Sequence, residues 1–472
     1  MARVLFFQDT LYEAFGPEIL SAVLKEKGHE CQLVVAAEIG PGNLIAEARR
    51  HQAQIAAFSV PSYGFQWALE LAADLKQEVS VTTVFGGPHP SCFSGFAAHP
   101  AVDLACNGEG EGAIVELAQA IDEGTDPREI ANLSWANKGA VHANPVRPLI
   151  EDLDSLPFQD REIYYGHPIL RDFSYKLFLA GRGCPYDCSY CFNSTLRATY
   201  KGRGRWVRRR SVEHVIEEIC TVRDRFGLRT VGFVDDDFAA RKDWLLRFCS
   251  LYATEVGLPF NCIVRINEID EEVAEALGRA GCHYVSFAIE TGNEELRQRV
   301  LNRRISDEQI RRGAALLRGQ GIRLLTCNMF GLPGETLEDG LQTVRLNAEI
   351  GTSVIGSSVL QPMPGTAIHD YCREHDYLDE VYDPEGLDGF AASSALNNMP
   401  DYRHLTNVQK LALIGVRWPR TIPWLGRLAT LPPNPLFRLV YLASMFIRFT
   451  LRCRLSLLEA VRLGLRSWGR FS

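Results

Sequence analysis

The chain has 472 residues, enough for two or three domains of ordinary size. An apolar fraction of 46% and a charged fraction of 23% are those of a packed globular protein and exclude a disordered or collagen-like chain. The net charge of −8 is uneven: residues 401–472 hold 12 Lys and Arg against 2 acidic residues, which leaves −18 on the first 400. Ten of the 13 cysteines are scattered singly, mostly within apolar patterns, where a free cysteine acts as a small hydrophobe. That excludes a disulfide framework and suits a reducing compartment, the cytoplasm. No run of about 18 uncharged apolar residues occurs, so no spanning helix is predicted.

The chain enters a strand at once, at Val4–Phe7, which leaves no room for a secretory leader. Up to about Gly124, strands and helices alternate. Strands are predicted at Val4–Phe7, Gln32–Ala36, Ile55–Ser59, Val81–Phe85 and Val102–Ala105. Helices are predicted at Pro17–Lys27, Leu44–His51, Phe65–Glu78 and Ala113–Asp122. Short apolar strands with helices between them imply a parallel sheet covered on both faces. Such sheets bind ligands beyond the carboxyl ends of their strands. The fourth strand runs into Gly86-Gly87-Pro88-His89-Pro90, and the fifth into Asn107-Gly108-Glu109-Gly110-Glu111. Glycines there let a ligand approach the backbone closely. Residues 125–174 are polar and proline-spaced. They read as a connector holding one hairpin, Leu133–Ala136 with Gly139–His142.

Next comes Cys184-Pro-Tyr-Asp-Cys188-Ser-Tyr-Cys191, after the apolar run Lys176–Ala180. Three thiolates spaced in this way on one loop can all reach one iron–sulfur cluster, and three ligands leave one iron of a cubane open. Structural zinc would need a matching second pair of cysteines, and the sequence has none. Strand–helix units then continue to about Leu378. The strands are Lys176–Ala180, Thr230–Val234, Cys262–Ile266, Tyr284–Ile289, Leu324–Phe330 and Val354–Leu360. Six units suit a partial (β/α)6 barrel, because a closed barrel needs eight. Polar residues again follow the strands: Asp235, Asp236 and Asp237, then Arg265, then Glu290. Carboxylates suit ammonium and hydroxyl groups, and arginine suits a carboxylate. An acidic triplet can equally cap the next helix.

From Asp379 to Pro400 the chain reads as a loop-rich cap. The region 379–472 ends in helical patterns, the last of them Leu436–Phe471. There Arg438, Arg448, Arg452, Arg454, Arg462, Arg466 and Arg470 interrupt apolar stretches. Such a segment packs on the barrel or lies on an anionic membrane surface. Sparse aromatic interleaving argues against nucleic acid.

The CxxxCxxC loop resembles the signature of the radical S-adenosylmethionine (SAM) superfamily, including Tyr190 just before the third cysteine. Together with the GGPHP turn, the GEGE turn and the PxPGT turn at Pro362–Thr366, it resembles B12-binding-domain radical SAM proteins over residues 1–378. The resemblance implies a flavodoxin-like, Rossmann-like cobalamin-binding domain at 1–124, a linker at 125–174 and a radical SAM partial barrel at 175–378. It implies a [4Fe–4S] cluster on Cys184, Cys188 and Cys191. It places SAM near Tyr190, Asp235, Asp236, Asp237, Arg265 and Glu290. Cobalamin would lie near Gly86, Gly87, Pro88, His89, Gly108 and Glu109. Many cobalamin proteins supply an axial histidine from a DxHxxG loop after the first strand. Here that loop, 8–16, keeps Asp9 and Gly16 but has no histidine, so none from it would ligate cobalt.

The implied chemistry is reductive cleavage of SAM to a 5′-deoxyadenosyl radical, then methyl transfer from cobalamin to an unactivated carbon of a small, hydrophobic substrate. The electrons would come from a flavodoxin or ferredoxin. Cyclisation or rearrangement, a domain that no longer binds cobalamin, and a non-enzymatic iron–sulfur sensor remain as alternatives.

Overall fold

The computed structural model describes residues 1–378 and 394–455, apart from positions 63, 94 and 397, together with Glu459. Most of the expected cap, and Arg462, Arg466 and Arg470, lie outside the described residues. The chain divides into two compact units. Among the described residues, the first holds 1–173 and 195–208, and the second holds 174–194 and those from 209 onward.

The first unit is a seven-stranded sheet. Its strands are β1 (Arg3–Gln8), β2 (Glu30–Val35), β3 (Ile55–Ser59), β4 (Thr82–Gly86), β5 (Leu104–Cys106), β6 (Leu133–Asn137) and β7 (Ala140–Ala143). The order is β2-β1-β3-β4-β5-β6-β7, parallel through β5 and antiparallel beyond it. The hairpin predicted in the connector is thus the far edge of this sheet, joined through Ser134 to Ala105. The helices α1 (Phe15–Glu26), α2 (Leu44–Arg50) and α3 (Phe65–Glu78) lie between the parallel strands in sequence, and α4 (Glu111–Glu123) follows the last of them, β5. The central strands are buried along almost their whole length, as parallel strands covered on both faces must be.

A buried polar cluster closes the loop after β1. Arg161, 4% exposed, pairs with Glu13 and lies 3.5 Å from Glu18. Tyr165 donates to the same Glu13 carboxylate at 2.8 Å, and Tyr164 donates to Gln8 at 2.7 Å. Gln8 in turn donates to the carbonyls of Thr10 and Tyr12. Removing one member of a buried ion pair strands the other charge, at a cost of about 3–5 kcal/mol. Arg161→Ala is therefore expected to lower the urea unfolding free energy of the first unit by about that much. Arg161→Ala combined with Glu13→Gln should recover part of the loss; equal costs for the two would mean the pairing contributes nothing.

The second unit is a six-stranded parallel sheet. Its strands are β8 (Tyr175–Phe178), β9 (Thr230–Phe233), β10 (Phe260–Ile263), β11 (Cys282–Glu290), β12 (Arg323–Phe330) and β13 (Val354–Val359). Its order follows the sequence, β8-β9-β10-β11-β12-β13. This is the partial (β/α)6 barrel. One principal helix follows each strand from β8 to β12: α5 (Val212–Phe226), α6 (Lys242–Glu255), α7 (Glu271–Arg279), α8 (Asp307–Gly319) and α9 (Leu337–Glu349). Local chemistry sets their starts. Ser211 and Asp270 cap α5 and α7, and capping boxes at Ser306 and Thr336 open α8 and α9.

Beyond the barrel come α10 (Ala367–Glu374), α11 (Tyr402–Arg417), α12 (Ile422–Ala429) and α13 (Pro435–Arg452). Leu405, Val408 and Leu411 of α11 share an apolar core with Phe330, Leu341, Val344 and Ile355. α13 also packs on the barrel. Arg452 donates to the Tyr175 hydroxyl at 3.1 Å, and its carbonyl accepts from Asn261. Arg448 reaches Gly356, where an added Cβ would meet the guanidinium at 2.7 Å. Among the described residues, no helix is long and apolar enough to cross a membrane.

Candidate functional site

The three cysteines follow β8 on a loop that distant backbone holds in place. Ser189 donates through its hydroxyl to the Val300 carbonyl at 2.7 Å and through its N–H to the Leu301 carbonyl at 3.0 Å. Its own carbonyl accepts from Ile368, two residues past the PxPGT turn. The Asn302 amide donates to the Asp187 carbonyl at 2.7 Å. The PxPGT turn thus braces the cysteine loop as well as ending the barrel. Its Thr366 hydroxyl bonds back to the Met363 carbonyl.

All three cysteines are free thiols. Cys188 is 7% exposed, and its Sγ receives two guanidinium groups, Arg265 at 3.6 Å and Arg303 at 3.7 Å. Cys184 and Cys191 are half-buried, and burial pushes the Cys184 thiol up to about 12 and raises that of Cys191. Ligation requires thiolates, so cluster assembly must displace these protons. Soft thiolates suit an iron–sulfur cluster, and the two cations offset the charge gathered at Cys188. The donor chemistry of the three cysteines suits a [4Fe–4S] cluster with an open iron, while among the described residues no group of three such side chains is drawn together as around a single bound ion.

Beside Cys188 lies a buried polar group. Glu290 ends β11, is 6% exposed, and takes a φ of 69°, rare for a residue with a side chain. The Tyr190 hydroxyl donates to its carboxylate at 2.7 Å. Arg303 stands 3.4 Å from that hydroxyl and donates to the Ala288 carbonyl at 2.8 Å. Burial raises the Glu290 pKa, while Arg303 and the Tyr190 hydrogen bond oppose the rise. The following Gly292 is required by packing, because an added Cβ would meet the Thr343 nitrogen at 2.5 Å. Arg303 was not singled out from the sequence. It sits in the pair Arg303-Arg304, and nothing local separates the buried member from its neighbour.

The other expected SAM residues divide. Asp235 turns inward, accepting from the Ala180 N–H at 3.1 Å and from Arg209. Asp237 accepts from the backbone N–H groups of Ala239 and Arg265. Burial and the neighbouring Glu268 push it up to about 8. Asp235 and the Oδ1 of Asp237 thus brace the strand ends, the Asp237 Oδ2 is buried without a hydrogen-bond partner, and of the triplet only Asp236 is exposed. The Arg265 guanidinium lies 3.6 Å from the centroid of the Tyr186 ring and donates to Asn267 at 3.1 Å. It faces the cysteine loop, not a neighbouring acid.

In the first unit, His89 departs from expectation. It is 5% exposed and stacks between Phe65 and Phe93, with centroids at 4.0 and 4.2 Å. Burial pulls its pKa down to about 4, so it is a neutral core residue. Gly87 has a φ of 99°, and a Cβ there would meet backbone atoms of Val60 at 3.0 Å. Gly86 has ordinary space around it, and Pro88 is exposed beside it. At the second turn, a Cβ on Gly108 would fall 1.9 Å from the Tyr200 hydroxyl, so a tyrosine of this unit makes the close approach. Glu109 is engaged as well. Its N–H donates to the Tyr200 hydroxyl at 2.8 Å, and its carboxylate accepts from the Ile150 N–H and from Arg208.

Glu335 caps its own turn, accepting from the Leu332 N–H at 2.9 Å, and burial pushes its carboxyl up to about 8. Unfolded, it ionises near the ordinary value of 4.5. Between these values the folded state holds a proton that the unfolded state has released, so this group makes stability fall as pH rises through that window. Glu335→Gln is expected to flatten the decline in melting temperature between about pH 5 and 8. An unchanged slope would refute the assignment.

Two family models match the chain: the B12 binding domain over residues 10–118 and the radical SAM superfamily over 178–346. An uncharacterised methyltransferase of Pyrococcus horikoshii is 27% identical, covering 69% of this chain and 70% of that protein. An anaerobic magnesium-protoporphyrin IX monomethyl ester cyclase of Rubrivivax gelatinosus is 25% identical, covering 68% of this chain and 58% of the cyclase. The fold matches the radical S-adenosylmethionine methyltransferase TsrM of Kitasatospora setae with a TM-score of 0.67 at 18% identity. That match covers 91% of this chain and 99% of the other. The chain is a radical SAM protein with an N-terminal B12-binding domain.

Proposed function

We propose that this cobalamin-dependent radical SAM enzyme C-methylates an unactivated carbon of a small substrate. The observation that carries the reading is the buried group around Cys188, in which Arg265, Arg303, Tyr190 and Glu290 adjoin the three-cysteine loop. The cluster with SAM supplies a 5′-deoxyadenosyl radical, and cobalamin supplies the methyl group. The chain's own part is to bind and aim them. Cys184, Cys188 and Cys191 hold the cluster. Arg303 offers a forked donor to the SAM carboxylate, and Glu290 offers an acceptor to its ammonium group. Asp236 and Arg265 lie at neighbouring strand ends. Gly86, Gly87 and Pro88 offer backbone to cobalamin after β4. Burial of the polar group keeps water from a radical centre. A flavodoxin or ferredoxin delivers the electrons. The enzyme works in the cytoplasm against the membrane face, on a substrate with hydrophobic character.

Anaerobic reconstitution with iron, sulfide and hydroxocobalamin tests the reading. It expects about four irons and about one cobalt per chain, with 5′-deoxyadenosine and S-adenosylhomocysteine both formed from SAM and dithionite. Iron and 5′-deoxyadenosine without cobalt would sink the cobalamin part. The similarity to a cyclase favours ring closure as the second reading. Cobalt and 5′-deoxyadenosine without S-adenosylhomocysteine, in the presence of turned-over substrate, would select it.

A further inference from the structure

Between Tyr402 and Leu458 the chain has nine Lys and Arg and no Asp or Glu. The structure sorts this stretch into a packed side and an open one. α13 turns Phe437, Ser444, Arg448 and Arg452 toward the barrel. On the opposite face it leaves Leu436 (65% exposed), Leu439 (61%), Leu442 (51%), Phe446 (38%) and Phe449 (40%) in solvent, spaced at three and four residues. Trp424 of α12 and Trp418 just before it are 62% and 60% exposed. The exposed Arg417, Arg420, Arg427 and Arg438 border these apolar groups, and Arg427 lies over the Trp424 ring at 5.0 Å.

We infer that the outer face of α12 and α13 docks on an anionic lipid bilayer, with α13 lying in the plane of the interface. Exposed Trp, Phe and Leu flanked by Arg, without a carboxylate, is the composition that seats an amphipathic helix at the headgroup level. The arginines add attraction to anionic headgroups. α13 does not span, because its inner face is committed to the barrel through Arg448 and Arg452. Charge argues against two other occupants, a second copy of the chain and the C-terminal residues. A second copy would meet this surface with itself, setting arginines against arginines with no carboxylate to receive them. Residues 456–472 hold Arg462, Arg466 and Arg470 against the single Glu459, so they share the surface's sign. The surface requires no particular reaction, so its failure and that of the methylation reading are separable.

Flotation of the full-length reconstituted protein with vesicles tests it, using phosphatidylcholine alone and phosphatidylcholine mixed with phosphatidylglycerol. Binding is expected to the anionic vesicles at low salt, to weaken with added salt, and to be at least about tenfold weaker to neutral ones. Trp424→Glu with Leu439→Glu should abolish flotation, while 5′-deoxyadenosine formation in vesicle-free buffer stays unchanged. Arg420→Gln with Arg427→Gln should weaken anionic binding about tenfold. No flotation with anionic vesicles at low salt would overturn the inference. So would equal binding of the parent and the Glu variant. A dimer in light scattering that the Leu439→Glu change dissociates would assign the surface to a second copy instead.

Discussion

Replacing Cys188 by serine is expected to strip the reconstituted protein of most of its iron and to lower 5′-deoxyadenosine formation by about 10³-fold or more. The effect should be that large because iron–sulfur clusters are held by thiolates, and a three-cysteine loop has no ligand to spare. Cys188 should be the most sensitive of the three, since it alone is buried against Arg265 and Arg303. With the sulfur gone, two buried guanidinium groups lose the anion they face, so residual cluster bound through Cys184 and Cys191 should be unstable. Iron and sulfide content, with the visible charge-transfer band near 400 nm, report the loss directly; circular dichroism separates it from unfolding. Cys249→Ser is the control. That cysteine is 3% exposed and away from the loop, so its replacement should leave iron content intact. Full iron in Cys188→Ser would remove the ligand assignment.

Arg303→Gln and Glu290→Gln are each expected to lower the rate of SAM cleavage by about 10²-fold, the scale on which losing one buried charge-assisted partner acts on a reaction. Arg303 serves two groups. Its N–H reaches Cys188 Sγ, and its charge opposes the rise that burial imposes on Glu290. Without it the Glu290 pKa should climb further, and the carboxylate form would need higher pH. The acid limb of the pH profile should therefore move upward in Arg303→Gln but be absent in Glu290→Gln. Loss of an N–H···S bond should also lower the midpoint potential of the cluster, since hydrogen bonds to sulfur help set it. Arg303→Lys keeps the charge without the fork and should restore the potential and pH limb more than it restores SAM affinity. Equilibrium dialysis with SAM, a potentiometric titration and the pH profile check these outcomes. Unaltered SAM affinity in both variants would place the binding site elsewhere.

The cysteine loop stands out in the sequence because its three thiols fall within eight residues, so chain geometry alone keeps them on one loop. The two sheets were legible for a similar reason. Apolar strands recur at regular intervals, and each polar strand end marks the side on which ligands bind. The burial of His89 could not be read from the GGPHP turn, because Phe65, an essential part of its cover, belongs to the preceding helix. Phe65 closes on it from α3, while Phe93 and Phe96 follow it closely in the chain. Sequence shows a histidine between two prolines in a loop, which reads as accessible. At the GEGE turn the body that approaches Gly108 is Tyr200, a contact that no local window shows.

By itself, then, the sequence determined the class of protein: two α/β units in order, a cluster loop and a basic C-terminal region. These follow from spacing and periodicity, which are properties of neighbouring residues. Only the tertiary structure decided which charged groups are buried beside the cysteine loop. Asp235 accepts from a backbone N–H and from Arg209, and one oxygen of Asp237 accepts from backbone N–H groups, while Arg303, thirteen residues beyond its strand, joins Tyr190, Glu290 and Cys188. It also decided which arginines of the tail turn toward the barrel, the half-buried Arg448 and Arg452, and which apolar side chains are left outside. The physical reason is that burial and ion pairing depend on which distant segments converge. A charge costs little in water and much in a core, and nothing in a local window says which of the two it will meet.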